Sequence, residues 1–338
     1  MSTNLNRLPS PTWNRSGVNV ADGRFALPDA LPPGAWLGPL PDGVVRLDRC
    51  ASLCADLDSG TGLDAPLADA PLLALSVMEP VQTPLILRQS GAARLCAELL
   101  PGSALTAVLL LDDDAPAANL VQFHVGAGAE LNLTTLRLGG DAPHWAGAAL
   151  ELEEDAVARL LRVELGTGPV LDGSRTVLRG DRAELTLNTL YFGAAGGPID
   201  FNDNAVHLSR DTHSQQSCAG VLVKGGDKTY RGTIDFRRGA VHAVGHESED
   251  VVLLDPDVKN RTVPLILCGE ESVEGEHAAT IGRLDEEKLF YLTSRGLTHQ
   301  AAEKLMLTAR FTALLDGLPV PELRQSVLDA LEGRLGDA

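Results

Sequence analysis

The residues best suited to chemistry in this chain are Cys268, Glu276 and His277, which lie within ten residues of one another. Thiolate and imidazole suit Fe–S clusters, Zn2+ or Cu+, and a carboxylate beside an imidazole can ligate or can orient and polarise it. One Cys and one His do not complete a tetrahedral site. A closed site here needs further ligands from elsewhere in the chain or from a second chain. The plainer reading is a buried strand cysteine and a surface histidine. A second pair, Cys50-x-x-x-Cys54, puts both sulfurs on one face if the segment is helical, but no second Cys or His pair lies nearby in sequence. His207-Leu-Ser-Arg-Asp-Thr-His213 contains Ser, His and Asp without a motif that would support serine catalysis. Phosphate loops, dinucleotide fingerprints and nucleophile elbows are absent, and Lys224-Gly-Gly-Asp-Lys-Thr229 reads as a strand turn.

Charge narrows the function classes. Lys plus Arg number 28 and Asp plus Glu 46 over 338 residues, a net charge of −18. Such a surface repels phosphate backbones and anionic membranes, which argues against nucleic-acid and membrane partners. The N-terminus lacks an apolar signal region, and the longest apolar runs, such as Ala107 to Leu111, are too short to span a bilayer. A cytoplasmic protein is expected. The five cysteines are scattered and odd in number, so no disulfide framework is expected.

The elements that must position these residues fall into three stretches. Residues 1–65 are rich in Pro and Gly and read as an extended arm with a short irregular or helical region, in which Trp13 is expected to pack on the body. Residues 66–282 read as strand, turn, strand, as in Pro84-Leu-Ile-Leu87, Leu120-Val-Gln-Phe-His-Val125 and Gly220-Val-Leu-Val223. Ala129-Glu-Leu-Asn-Leu-Thr-Thr-Leu136 recurs as Ala183-Glu-Leu-Thr-Leu-Asn-Thr-Leu190, with weaker copies at Ala93-Arg-Leu95 and Ala158-Arg-Leu160. Intervals of this length, with aliphatic and aromatic-poor composition, favour one solenoid coil per unit. An antiparallel sandwich would also give short strands with frequent turns, and periodicity leaves both open. Residues 283–338 switch to helical spacing. Asp285 and Thr298 are in capping position, Gly296 is a stop, and Leu305, Met306, Ala309, Ala313 and Leu314 share one face. These helices must cover the end of the β-body or meet a partner.

The segments Tyr230-Arg-Gly-Thr-Ile, Thr262-Val-Pro-Leu-Ile-Leu-Cys268, Glu276-His277-Ala-Ala-Thr-Ile-Gly-Arg-Leu-Asp285 and Leu289-Phe-Tyr-Leu-Thr-Ser-Arg-Gly296 resemble the SufB/SufD family, the scaffolds of Suf iron–sulfur cluster assembly. The resemblance is close from about 200 to 335 and fainter upstream. It implies a mainly β fold, a right-handed parallel β-helix followed by a C-terminal α-helical segment. It also implies pairing with a SufB-like scaffold through the β-helix, as a hetero- or homodimer, and docking of a SufC-like ABC-type ATPase on the helices, with Leu289, Phe290, Tyr291 and Arg295 as contacts. SufB-like members carry an essential cysteine at a position that falls at about Glu249 here, so the resemblance favours the SufD-like, non-catalytic branch. His277 matches the histidine implicated in cluster assembly in that branch. His277, Glu276 and Cys268 become candidate ligands for a transient Fe–S cluster shared with the partner. Relatives carry an N-terminal helical region that is expected to be missing here. The rival readings are a polysaccharide-acting β-helix hydrolase or lyase, which the low aromatic content disfavours, and a homodimeric scaffold.

Overall fold

The computed structural model describes residues 4–12, 16–111, 114–312 and 314–336. Trp13 and Ala313 lie outside them. The chain forms a β-solenoid of about seven turns, with helices on the C-terminal side. Successive strands alternate between two nine-stranded sheets. Numbered in chain order, sheet A runs β17 (Lys259–Cys268), β15 (Asp227–Phe236), β13 (Ile199–His207), β11 (Val170–Leu178), β9 (His144–Leu152), β7 (Ala117–Val125), β5 (Ala92–Leu99), β3 (Leu72–Val77), β2 (Val44–Leu47). Sheet B runs β1 (Ala35–Leu37), β4 (Leu85–Ser90), β6 (Ala104–Leu110), β8 (Glu130–Arg137), β10 (Val157–Glu164), β12 (Glu184–Gly193), β14 (His213–Leu222), β16 (Val244–Leu253), β18 (Glu274–Gly282).

In-register parallel stacking explains the composition. Strand side chains alternate between faces, and a parallel register puts the same face inward on every coil. In sheet B, Ala107 (β6, Ala104–Leu110), Leu133 (β8, Glu130–Arg137), Leu160 (β10, Val157–Glu164) and Leu187 (β12, Glu184–Gly193) stack in one inward column. Leu, Val and Ala fill most of the lumen in the first coils, and Tyr191, Phe201, Tyr230 and Phe236 enter it toward the C-terminal end. The register also corrects the repeat. Ala129, Ala156 and Ala183, each fully buried, occupy equivalent corners, because Val157 N–H donates to the Ala129 carbonyl and Glu184 N–H to that of Ala156. Ala158 is therefore two residues out of step with Ala129, and Ala93 lies in the other sheet on β5 (Ala92–Leu99).

The two ends of the solenoid differ. At the N-terminal end, β1 (Ala35–Leu37) and β2 (Val44–Leu47) run antiparallel to β4 (Leu85–Ser90) and β3 (Leu72–Val77) and close both sheets. At the other end β17 (Lys259–Cys268) and β18 (Glu274–Gly282) are the last strands of their sheets, and β18 is exposed along nearly its whole length.

The flanking segments cover the sides rather than the ends. The N-terminal arm lies on the outer face of sheet A, held by buried Leu5, Leu8, Val18 and Phe25. Asn6 donates to the Asp172 and Asp200 carbonyls at 3.1 Å, and the Trp145 indole N–H donates to the Phe25 carbonyl at 2.7 Å. The C-terminal helices α2 (Glu286–Ser294), α3 (His299–Thr312) and α4 (Pro321–Gly336) follow the caps expected at Asp285 and Thr298. Leu307, Phe311, Val327 and Leu331 pack onto Leu161, Val163, Phe192 and Val221 on the outer face of sheet B. They therefore do not cap the open end of the solenoid, one of the two roles left open for them by the sequence: the outward apolar residues of β10, β12 and β14 (His213–Leu222) are the surface they bury.

The expectation of no disulfide is also overturned. Cys50 and Cys96 are bonded, with 5.7 Å between Cα atoms. The arm brings Cys50 over β5, a contact 46 residues apart that sequence spacing does not reveal. Nor do Cys50 and Cys54 share a helix face, because the short helix α1 (Ser52–Ala55) begins after Cys50.

Candidate functional site

The last coil carries all three residues singled out in the sequence. His277 sits in β18 in register with Glu247 of β16 (Val244–Leu253), which is in register with Gln216 of β14. The column Ala107, Leu133, Leu160, Leu187, Gln216, Glu247, His277 thus runs from an apolar interior to an exposed imidazole. Cys268 ends β17, in register with Phe236 on β15 (Asp227–Phe236), whose ring packs inward against His207 at 4.9 Å between centroids. Cys268 and His277 therefore belong to the lumen-facing side of the terminal coil, and both are exposed because among the described residues no further coil stacks on them.

Glu276 is placed differently. Adjacent strand residues point to opposite faces. Glu276 lies on the outer face in register with His246, whose Nδ1 is 3.4 Å from its carboxylate. The structure separates Glu276 from His277, and among the described residues neither belongs with Cys268 to a group of three metal-ligating side chains. His277 and Cys268 have the donor chemistry for iron, but this coil alone does not complete a ligand set.

Behind His277 the lumen turns polar, and sequence reasoning missed this. Arg162 lies between Asp172, 3.1 Å away, and Asp203, 2.9 Å away, and Ser174 donates to Asp203 at 2.7 Å. Lys228 is ion-paired with Glu249, and Thr262 also donates to Glu249. Glu249 is thus committed to a buried ion pair. Burial pushes the Asp172 carboxyl up to about 7, opposed by Arg162. Glu247, packed against Gly232 where a Cβ would collide with it, is pushed up to about 8 by burial, with Glu249 and Asp203 adding and Lys228 opposing. Its Oε2 has no hydrogen-bond partner. Cys218, beside these charges, is held well above the usual thiol range by burial. The one signal available in the sequence was a charged residue at every second position, as in Glu247-x-Glu249, which reads equally as a solvated strand face.

The Ser, His and Asp content at 207–213 is structural. His207 is fully buried, its ring nitrogens 2.8 Å from the Thr212 hydroxyl and 2.9 Å from that of Ser214, and burial lowers its pKa to about 3.

Beside the terminal coil, α2 presents Phe290 at 73% and Tyr291 at 57% exposure. The Arg295 guanidinium stacks on Tyr291, 5.3 Å from its ring centroid, while Leu289 packs partly against the core. A groove of about 440 Å³ runs here, lined by Leu253, Leu254, Leu284, Leu289 and Phe290 among others.

The fold is thus a β-solenoid closed by antiparallel strands at one end, with Cys268 and His277 exposed on the last coil at the other. The family model described as the SufBD core domain of SUF-system FeS cluster assembly matches residues 89–310, and the chain belongs to the SufB/SufD family. It is 27% identical over 63% of its length to the iron–sulfur cluster assembly protein SufD of Escherichia coli, covering 51% of that protein. It is 24% identical over 64% of its length to SufB of Bacillus subtilis, covering 48%, and 23% identical over 51% of its length to SufD of the same organism, covering 39%. The chain spans about half the length of the relatives it matches, or less. No helix among the described residues is long and apolar enough to cross a membrane.

Proposed function

We propose that this chain is a SufD-type scaffold subunit of a cytoplasmic Suf complex, with no catalytic activity of its own. It pairs through its open coil with a SufB-like protein and docks a SufC-like ABC-type ATPase through α2. The observation that carries this reading is the uncapped terminal coil. Solenoids ordinarily protect both ends, and an edge left with unpaired strands is a template for another chain. Here β17 and β18 leave both sheets open beside His277 and Cys268. A partner coil stacked on this edge would bury both donors and add the ligands that this chain lacks. The cluster is cargo passed through that junction. Glu276, on the opposite face, can contribute only from the outer rim.

The SufD-like branch is supported by the resemblance, which puts the SufB cysteine at about Glu249, and by the 27% identity to Escherichia coli SufD; the two Bacillus subtilis relatives, SufB at 24% and SufD at 23%, do not separate the branches. Exposed Phe290 and Tyr291 on a capped helix form the apolar anchor expected of a docking surface. Truncating the helices is a poor test, because it would strip the outer face of sheet B. The experiment is co-purification with a SufB-like protein and a SufC-like ATPase, followed by anaerobic cluster assembly. Phe290→Ser with Tyr291→Ser should abolish ATPase binding while leaving the SufB-like partner bound. His277→Ala should leave the complex intact and reduce cluster yield. An unchanged yield removes the ligand role, and retained ATPase binding removes the docking role.

A further inference from the structure

Three cysteines converge under the N-terminal arm, on the outer face of sheet A and away from the open coil. Cys50 precedes α1, Cys54 lies within it, and Cys96 is on β5. Their sulfur atoms lie within 4.8 Å of one another. Cys50 and Cys96 are bonded, and Cys54 is a free, fully buried thiol that donates to the Ala97 carbonyl at 3.4 Å. Two sulfurs suffice to tether the arm, so the tether does not account for a third one held beside them.

The surroundings favour a cation. Burial pushes the Cys54 thiol up to about 12, with Glu98 and Glu151 adding to the shift and the main chain of His124 opposing it. The Glu98 and Glu151 carboxylates, whose charge reaches Cys54, also attract a cation to the three sulfurs. Three convergent thiolates are a donor set for a soft d10 ion, either Zn2+ with a fourth exogenous ligand or three-coordinate Cu+. A Zn–S distance of about 2.3 Å puts tetrahedral sulfurs about 3.8 Å apart, within reach of the three side chains.

We propose that in the reduced protein Cys50, Cys54 and Cys96 bind one thiophilic metal ion, and that the Cys50–Cys96 disulfide is the oxidised, metal-free form of the site. A small-molecule disulfide such as oxidised glutathione accepts two electrons from the Cys50 and Cys96 thiolates. The Cys50–Cys96 bond forms, two small-molecule thiolates leave, the metal departs, and Cys54 takes a proton from water. A dithiol reductant reverses the exchange. Cys50, the half-buried member, is the entry point, while Cys54 and Cys96 are fully buried. The arm remains fastened to β5 in both states, by metal or by disulfide.

The test uses the full chain carrying Cys268→Ser, which removes the exposed thiol, reduced anaerobically and freed of reductant. Zinc is titrated against a chromophoric chelator, and Co2+ is used to read thiolate-to-metal charge transfer. The reduced protein should bind one equivalent with a cobalt–thiolate band, and the glutathione-oxidised protein should bind none. Cys54→Ser, which keeps both tethering cysteines, should weaken zinc by at least ~100-fold, while its oxidised form still shows the Cys50–Cys96 bond by mass. His277→Ala should bind zinc normally, which separates this site from the open coil. Absence of a bound equivalent, or binding unaffected by Cys54→Ser or by oxidation, overturns the proposal.

Discussion

Replacing Glu247 by Gln should remove a stability loss that the protein suffers as pH rises. Glu247 is 4% exposed, its Oε2 has no partner, and burial beside Glu249 and Asp203 lifts its carboxyl from 4.5 to about 8. Between those two values the folded state holds a proton that the unfolded chain has released. Its contribution is therefore fully present below about pH 4.5 and is lost as pH rises through 8. The slope is at most about 1.36 kcal/mol per pH unit, a ceiling of about 3 kcal/mol between pH 5.5 and 8. Dielectric relaxation around a site that also feels Lys228 brings the expected change to about 1–2 kcal/mol. Gln keeps the shape and cannot ionise. Urea unfolding of both proteins at several pH values gives the difference in stability, in which titrations common to both cancel. That difference should move in favour of the Gln variant by about 1–2 kcal/mol from pH 5.5 to 8. A difference constant within about 0.3 kcal/mol, or one moving the other way, would refute the assignment of a neutral carboxyl behind His277.

Arg162→Met leaves Asp172 and Asp203 buried without their counter-charge and should cost about 3–5 kcal/mol by urea unfolding. The cost should be larger at pH 8 than at pH 6, because Asp172, with a carboxyl near 7, ionises between them. Phe311→Ala empties a fully buried position between α3 and sheet B and should cost about 3–5 kcal/mol, with amide protection lost first in α3 and α4. Asp285→Ala removes the side chain that accepts from the Glu287 and Lys288 amides and should cost α2 about 1 kcal/mol. Hydrogen exchange should quicken in the first turn of α2 and leave the strands unchanged.

How far the sequence carried depends on what strand alternation can encode. The Leu-x-Leu strings at 131–133 and 185–187 mark inward faces, and the terminal helices were legible from Asp285, Gly296 and Thr298. Register was not. Ala158 and Ala156 are two residues apart, and a slip of two keeps every side chain on its own face, so the pattern alone accepts either alignment. The Cys50–Cys96 bond joins the arm to a strand across 46 residues with no local signal, and closure of one end by antiparallel β1 and β2 left none either.

The site was half legible for the same reason. His277 and Cys268 stood out by residue type, but pairing His277 with Glu276 followed sequence adjacency, which in a strand means opposite faces. The true neighbours of His277 in its column are Glu247 and Gln216, 30 and 61 residues earlier in the register of the stacked coils. A solenoid turns residues one coil apart into neighbours and residues one position apart into strangers. It follows that the chemistry available at the open coil is set less by the stretch around His277 than by the buried charges one coil below: the Glu247 carboxyl pushed up to about 8, and the buried ion pair of Lys228 with Glu249.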